Sequence, residues 1–376
     1  MKNHSGFLHL PFLLLIVLLF SCQPRSDKPQ IPETIPIDGG RFIEITPDNI
    51  LRNISLTPLQ TSPDCMIGEQ FRVLESDQDY FIMDEVSKLI SRFDADGRFL
   101  NIIGKKGKGP GEYNEMSEAI VSDQGVELLT GFPTTELTYY TKEGSFIERK
   151  KFMEFFSLSF IIHPKSNDYL FYGSGYAHKI QRINKKSGEI ADSMLVNTEG
   201  AKVFRVHPFS KTSYGTILFC EHFINKIYEI NSAGILEKYR LDFGKYSLEQ
   251  DLTVRDFMKR AAETGLWSID RALESDDYLY IGISRYMPDD TSSRSHFIYR
   301  KKDKKIFRLS EKDSFSASLG PAYHIARNGD LFMPVIPSEA MSCKAWTGYF
   351  DAKGLKIKAD DNPVMVKLNV KSIINE

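Results

Sequence analysis

The chain has 376 residues, 41% of them hydrophobic, 12% aromatic and 26% charged, enough apolar surface for a large core and too much for a disordered polymer. Lysine and arginine number 48 against 50 aspartates and glutamates, so no overall field draws the chain to nucleic acid or to an anionic membrane face. The 4 cysteines are too few and too scattered for a disulfide framework or a zinc site.

Lys2 precedes an apolar run from Phe7 to Phe20, interrupted by His9 and Pro11. That run is shorter than the roughly 20 residues that span a bilayer, and it predicts a signal peptide over residues 1–21. It ends in Leu19-Phe20-Ser21-Cys22, which resembles a bacterial lipobox, in which the cysteine thiol is acylated and becomes the new N-terminus. Acyl chains there would hold the protein on a membrane without a spanning helix. Residues 22–40 contain Pro24, Pro29, Pro32 and Pro36 among polar neighbours and predict a flexible tether. The folded body is expected to run from Arg41 to Glu376. Its cysteines, Cys65, Cys220 and Cys343, read as buried thiols, since at most one pair can form among them.

From Arg41 onward the chain turns to short β-rich runs, and aligning their turns exposes a repeat. Lys88–Phe93 leads through Asp94-Ala-Asp-Gly97 to Arg98–Ile103, and the pattern returns around Gly144, Gly188 and Gly234. These glycines stand 47, 44 and 46 residues apart, about the ~40 to 50 residues of one four-stranded propeller blade. Each supplies the positive φ of a hairpin turn. Ahead of each lies a nearly continuous apolar run: Tyr80–Met83, Gly125–Leu129, Asp168–Tyr172 and Thr216–Cys220. A strand buried on both faces between neighbouring blades reads in this way.

The fifth unit has its apolar strand at Tyr278–Ile281 and a second hairpin through Lys301–Lys304. Before it, Ser247–Gly265 places Leu248, Leu252, Phe257 and Ala261 at helical rather than alternating spacing, predicting a helix between blades 4 and 5. A sixth unit starts at Ala322–Met333, loses the pattern after Pro334 and regains a strand at Asn362–Val370. It lacks an outer strand, whereas Phe42–Ile45 and Ile54–Leu59 are strands without a blade. Both facts are met by an all-β, six-bladed β-propeller closed by an N-terminal strand, which also removes a free sheet edge.

Several stretches carry a resemblance. Leu59-Gln-Thr-Ser-Pro-Asp-Cys-Met-Ile-Gly68, Phe93–Gly97, Ile103-Gly-Lys-Lys-Gly-Lys-Gly-Pro-Gly-Glu-Tyr113 and Asp360-Asp-Asn-Pro-Val-Met-Val366 together resemble the six-bladed β-propeller lipoproteins of Bacteroidetes, relatives of NHL-repeat propellers. The resemblance covers nearly the whole mature chain. It implies the fold and a place in the cell envelope; it does not imply a reaction, because a propeller hosts binding modules and enzymes alike. Surface-exported lipoproteins of these bacteria tend to carry an acidic run after the lipidated cysteine, and Gln23-Pro-Arg-Ser-Asp-Lys28 has none, which favours a periplasm-facing anchor.

No stretch carries a recognisable catalytic signature. Gly104–Gly111 has the Gly-x4-Gly spacing of a phosphate loop, but Pro110 stands where its lysine belongs and the flanks read β. The loop is therefore expected to cross between blades, with Glu112 capping its amides and Lys105, Lys106 and Lys108 offering a small basic patch. Histidines fall in no metal-ligand spacing and Gly173-Ser-Gly175 is not a nucleophile elbow; no metal or cofactor is expected. The long hairpin bearing Arg285, Tyr286, Asp289, Asp290 and Arg294 is the candidate ligand rim, because the fold does not require it. Asp192-Ser-Met194 resembles a short O-glycosylation motif, marking Ser193. The sequence thus points to a monomeric, membrane-tethered propeller that binds a glycan, peptide or protein and no nucleic acid. Its rival is a carbohydrate-active hydrolase or lyase with acids and histidines gathered at the channel; a structural partner in an envelope complex is a third reading.

Overall fold

The computed structural model describes residues 31–375, except 77, 132, 155, 174–176, 198–206, 222, 248–253 and 290–291. The signal peptide and Cys22 lie outside the described residues. Three short strands and a helix come first: β1 (Glu33–Pro36), β2 (Phe42–Ile45), α1 (Pro47–Arg52) and β3 (Ile54–Pro58). Five consecutive four-stranded units follow: β4–β7 (Phe71–Leu74, Tyr80–Asp84, Ile90–Phe93, Phe99–Ile102), β8–β11 (Glu118–Ser122, Gly125–Leu129, Thr135–Tyr140, Phe146–Met153) and β12–β15 (Ser159–Ile162, Tyr169–Tyr172, His178–Ile183, Ile190–Val196). The fourth is β16–β19 (Phe209–Lys211, Ile217–Phe219, Lys226–Asn231, Gly234–Asp242) and the fifth β20–β23 (Leu266–Glu274, Tyr278–Tyr286, Ser292–Arg300, Lys305–Leu309). The last unit holds β24 (His324–Ile325), β25 (Leu331–Val335) and β26 (Val364–Leu368). Among the described residues these strands form six sheets, and successive first strands from β4 to β24 pack on one another around a common axis. The fold is a six-bladed β-propeller.

Burial follows strand position. The second strands β9 and β13 are buried at every residue, whereas β11 is exposed along most of its length. Apolar clusters sit between neighbouring blades, such as Phe81, Met83 and Ile90 against Val126, Leu128 and Tyr140. The turn glycines of the repeat, Gly97, Gly144, Gly188 and Gly234, all have positive φ.

β3 lies antiparallel beside β26 as the outer strand of the last sheet, Leu56 opposite Val366. Asn362, in the Asp-Asp-Asn-Pro stretch, fastens that seam. Its side-chain amide donates to the carbonyls of Gln60 (2.7 Å) and Cys65 (2.8 Å) and accepts from the Ile67 amide (2.8 Å).

The tether expected to reach residue 40 is corrected. β1 adds to β19 and β2 adds to β23, both in parallel, so blades 4 and 5 each have five strands. Ile35 and Ile45 drive this, being almost wholly buried between blades. The compact unit accordingly begins at Pro32 rather than Arg41.

Between β19 and β20 runs α2 (Val254–Glu263), whose Phe257 and Ala261 rest on Phe223 and Leu266. The stretch after β25 folds as α3 (Pro337–Ala340) and α4 (Lys344–Ala352), and α5 (Val370–Asn375) ends the description. Trp346 on α4 is fully buried, stacked on Phe315 at 5.0 Å with 4° between the rings. The three body cysteines are buried.

Candidate functional site

The first strand of each blade runs along the axis, so its end residues converge where the blades meet. At one end, the Arg72 end, lies an open cavity of about 340 Å³. Its polar lining is Arg72, Glu85, His207, Asp270, Arg271 and Arg294, with the exposed Glu69 and Gln70 at its mouth; its apolar lining includes Phe71, Pro321, Tyr323, Pro334 and Ile336. Below it the channel narrows to about 60 Å³ among Val73, Ala119, Phe160 and Phe209. The opposite end opens on a second cavity of about 390 Å³, beside Glu75, Lys142 and Lys211.

Glu118, on β8, anchors the Arg72 end and is buried. Its carboxylate takes an ion pair from Arg72, a hydrogen bond from the Ser159 hydroxyl (2.8 Å) and another from the amide of Ala119 (2.9 Å). His207 turns Nδ1 to Glu118 (2.7 Å) and Nε2 to Glu85 (3.1 Å). The histidine holds φ at 68°, a left-handed backbone rarely adopted by a residue with a side chain. Burial pushes the Glu118 carboxyl up, but Arg72, then His207 and Ser159, outweigh it and hold the group at about 2. Glu85 is likewise held below the ordinary carboxylate range: burial raises it, and the His207 hydrogen bond with the charges of His207, Arg72 and Lys88 lowers it further.

Asp270 accepts from the Ser284 hydroxyl (2.5 Å) and faces Arg294 Nε at 3.7 Å. Arg271 donates to the Phe209 carbonyl (3.1 Å). Glu85, Glu118 and Asp270 are thus each matched by neighbouring cations. With both ring nitrogens turned to carboxylates, His207 presents no free base to the cavity. At the far end Glu75 takes His324 Nδ1 at 2.7 Å and Lys211 at 3.6 Å, and these partners hold its carboxyl low against the opposing effect of burial.

Of the hairpin residues singled out in the sequence, Arg294 lines this cavity. Arg285 instead pairs with Glu311 (3.3 Å) and lies over the Trp267 ring (4.8 Å), and Tyr286 packs edge-on to Phe223 (5.4 Å). Asp289 is not in the cavity lining, and Asp290 lies outside the described residues. The Gly104–Gly111 loop crosses from β7 to β8, away from the cavity. There Glu112 accepts from the Gly109 amide (2.9 Å) and pairs with Lys105 (2.9 Å), while Lys106 donates to the Ser87 carbonyl (3.2 Å). Lys108 is not in the cavity lining. Ser193 sits on the outer strand β15, its hydroxyl donating to Gln181 (2.6 Å). Among the described residues no cluster of His, Cys, Asp and Glu has metal-ligand geometry, and His222 lies outside them. Sequence reasoning missed Arg72, Glu85, Glu118, Asp270, Arg271 and Tyr323, and found in the histidine spacing no role for His207. The available signal was a charged residue recurring in otherwise apolar first strands.

Residues 33–369 match the model of a family described as a domain of unknown function, DUF4934, and the chain belongs to that family. Among solved structures it is similar to a "Putative exported protein" of Bacteroides fragilis, at 15% identity over 87% of this chain and 99% of the other, with a TM-score of 0.66. It is also similar to a member of the DUF4221 family from Bacteroides vulgatus, at 11% identity over 84% and 97% of the two chains and a TM-score of 0.53. No curated protein matches the chain.

Proposed function

We propose that this DUF4934 propeller is a binding module of the cell envelope, anchored by lipid at Cys22, facing the periplasm, and gripping a glycan, peptide or protein segment at the Arg72 end. The observation that carries the reading is the pairing inside the cavity. A glycosidase needs a carboxylic acid held protonated by a raised pKa, whereas Glu85 and Glu118 are both lowered and His207 is occupied at both nitrogens. Glu339, whose carboxyl partial burial pushes upward, is not in the cavity lining. What the cavity offers a ligand is an apolar wall of Phe71, Pro321 and Tyr323 with arginines at its edge, the make-up of a recognition site. Arg285, Tyr286 and Asp289, further out on the same hairpin as Arg294, form its outer rim.

Envelope placement is supported by the leader that ends at Cys22 and by the name of the Bacteroides fragilis neighbour. The test of the binding reading is thermal-shift screening of the mature chain against glycan and peptide libraries, followed by titration of each hit against Tyr323→Ala and Arg294→Ala. Saturable binding weakened about tenfold in either variant, equivalent to ~1.4 kcal/mol, supports the site. Hits indifferent to both variants place the ligand elsewhere, and cleavage products in the mixture overturn the module in favour of a carbohydrate-active enzyme.

A further inference from the structure

The N-terminal strands that thicken blades 4 and 5 put the start of the propeller unit, Pro32, at one stretch of the ring's outer rim. We propose that this rim, where β1 and β2 lie beside the β22–β23 turn, docks on the anionic headgroups of the membrane that holds the anchor. The inference rests on lipidation at Cys22. A shallow groove of about 480 Å³ runs here, lined by Pro36, Gly40, Arg41, Ile43, Lys304 and Lys305. Ile43 in it is 46% exposed, and Arg41 and Lys302 are exposed.

Not every cation here is available. Lys301 pairs with the buried Glu274 (2.9 Å), Lys304 with Glu33 (2.9 Å) and Arg300 with Asp303 (2.8 Å). Lys305 stands 3.7 Å from Asp303, more than half exposed. Asp38 opposes the excess from the β1–β2 connection, and Glu44 faces Arg308 at 3.6 Å. The surface that remains, Arg41, Lys302 and Lys305 around the exposed Ile43, is cationic and apolar together, as an interfacial contact requires.

Chain length selects the occupant. Cys22 lies ten residues before Pro32, where the compact unit begins; such a segment reaches ~36 Å at full stretch and ~17 Å as a flexible coil. A propeller of this size is about 50 Å across. The anchor therefore keeps the rim of blades 4 and 5 near the bilayer, and the rim of blade 1, three blades from blade 4 and two from blade 5, lies on the far side. A modest electrostatic and apolar contact then suffices to fix the face.

The experiment uses the acylated full-length mature protein in vesicles of phosphatidylcholine with about 30 mol% phosphatidylglycerol and a headgroup-nitroxide lipid. The native thiols are buried, so a bimane probe labels an introduced cysteine alone. Ile43→Cys on this rim is compared with Leu100→Cys on the blade 1 rim, which is 45% exposed. Quenching about threefold stronger at position 43, falling toward parity at roughly 0.5 M salt or in Arg41→Glu/Lys305→Glu, is the expected result. Equal quenching, or stronger quenching at position 100, overturns the docking while flotation of the vesicles with bound protein leaves the anchor intact. A protein that fails to float, or a Cys22→Ala variant that floats equally well, overturns the anchor and the docking with it. Quenching at 43 that persists unchanged in pure phosphatidylcholine overturns the anionic headgroup as the occupant.

Discussion

Glu118→Gln tests whether the ion-pair cluster at the Arg72 end stabilises the ring. The substitution keeps the side-chain shape and removes the charge that faces Arg72 and His207. Held at about 2 instead of the usual 4.5, the buried carboxylate adds on the order of 3 kcal/mol to folding at neutral pH. Since the folded value lies below the unfolded one, that increment is fully present above about pH 4.5 and is lost as pH falls toward 2. Glutamine should therefore cost about 3 kcal/mol at pH 7, in line with the penalty for leaving a buried charge without its partner. The gap between variant and wild type should close steadily as the pH drops from 5 toward 2, because the wild-type carboxyl becomes neutral as well. Urea denaturation of both proteins across this range reads the difference, with Glu75 at the far end titrating equally in each. A gap that stays constant with pH, or that never exceeds about 1 kcal/mol, would refute the assignment of a strongly stabilised carboxylate.

Other perturbations separate packing from turn chemistry and closure. Gly97→Ala and Gly188→Ala both place a side chain at positive φ (82° and 74°), but a Cβ at 97 would stand 2.2 Å from the Pro58 carbonyl of the closing strand and at 188 would meet nothing within 4 Å. Gly188→Ala should cost ~1 to 2 kcal/mol and Gly97→Ala clearly more; equal melting temperatures would show that the 97 turn does not press on β3. Trp346→Ala empties a fully buried site against Phe315 and should cost ~3 to 5 kcal/mol in chemical denaturation. A loss below 1 kcal/mol would mean that the α3–α4 segment is not part of the core. Deleting residues 41–59 removes β2, α1 and β3 and should leave β26 as a bare edge, seen as aggregation in size-exclusion chromatography; a soluble monomer with an unchanged melting temperature would contradict closure through β3.

What the sequence made legible was the part of the fold written in local pattern. Leu128 and Leu170 lie in strands that read as continuous apolar runs because both faces are covered by neighbouring blades, and the turn glycines announce their own φ. The parallel strands β1 and β2 were illegible as blade members: each has 4 residues, and their partners lie some two hundred or more residues away. The site was hidden for a related reason. Arg72, Glu118, His207 and Arg271 sit on or just before four different first strands, each a lone polar residue whose neighbours along the chain say nothing of its partner. Arg285 and Tyr286 hid something else: the sequence of the hairpin gives no sign that Trp267 and Phe223 pack against these two side chains.

The spacing nevertheless held the clue. Arg72 and Glu118 are 46 residues apart, as are Gly188 and Gly234, so a charge that recurs with the blade interval must meet its counterpart at the axis once the ring closes. First strands crowd there, and charges brought together out of water are tolerated only as matched pairs. Arg72, Glu118, Glu85 and His207 meet that demand across three blades. The cavity and the contacts between blades therefore share the same side chains: on the binding reading proposed above, a ligand that engaged Glu85 or Arg72 would compete with the pairs that join blades 1, 2 and 4. Affinity at this end would then be set against the stability of the ring, and the apolar wall of Phe71, Pro321 and Tyr323, which carries no such pairs, would be free to set selectivity.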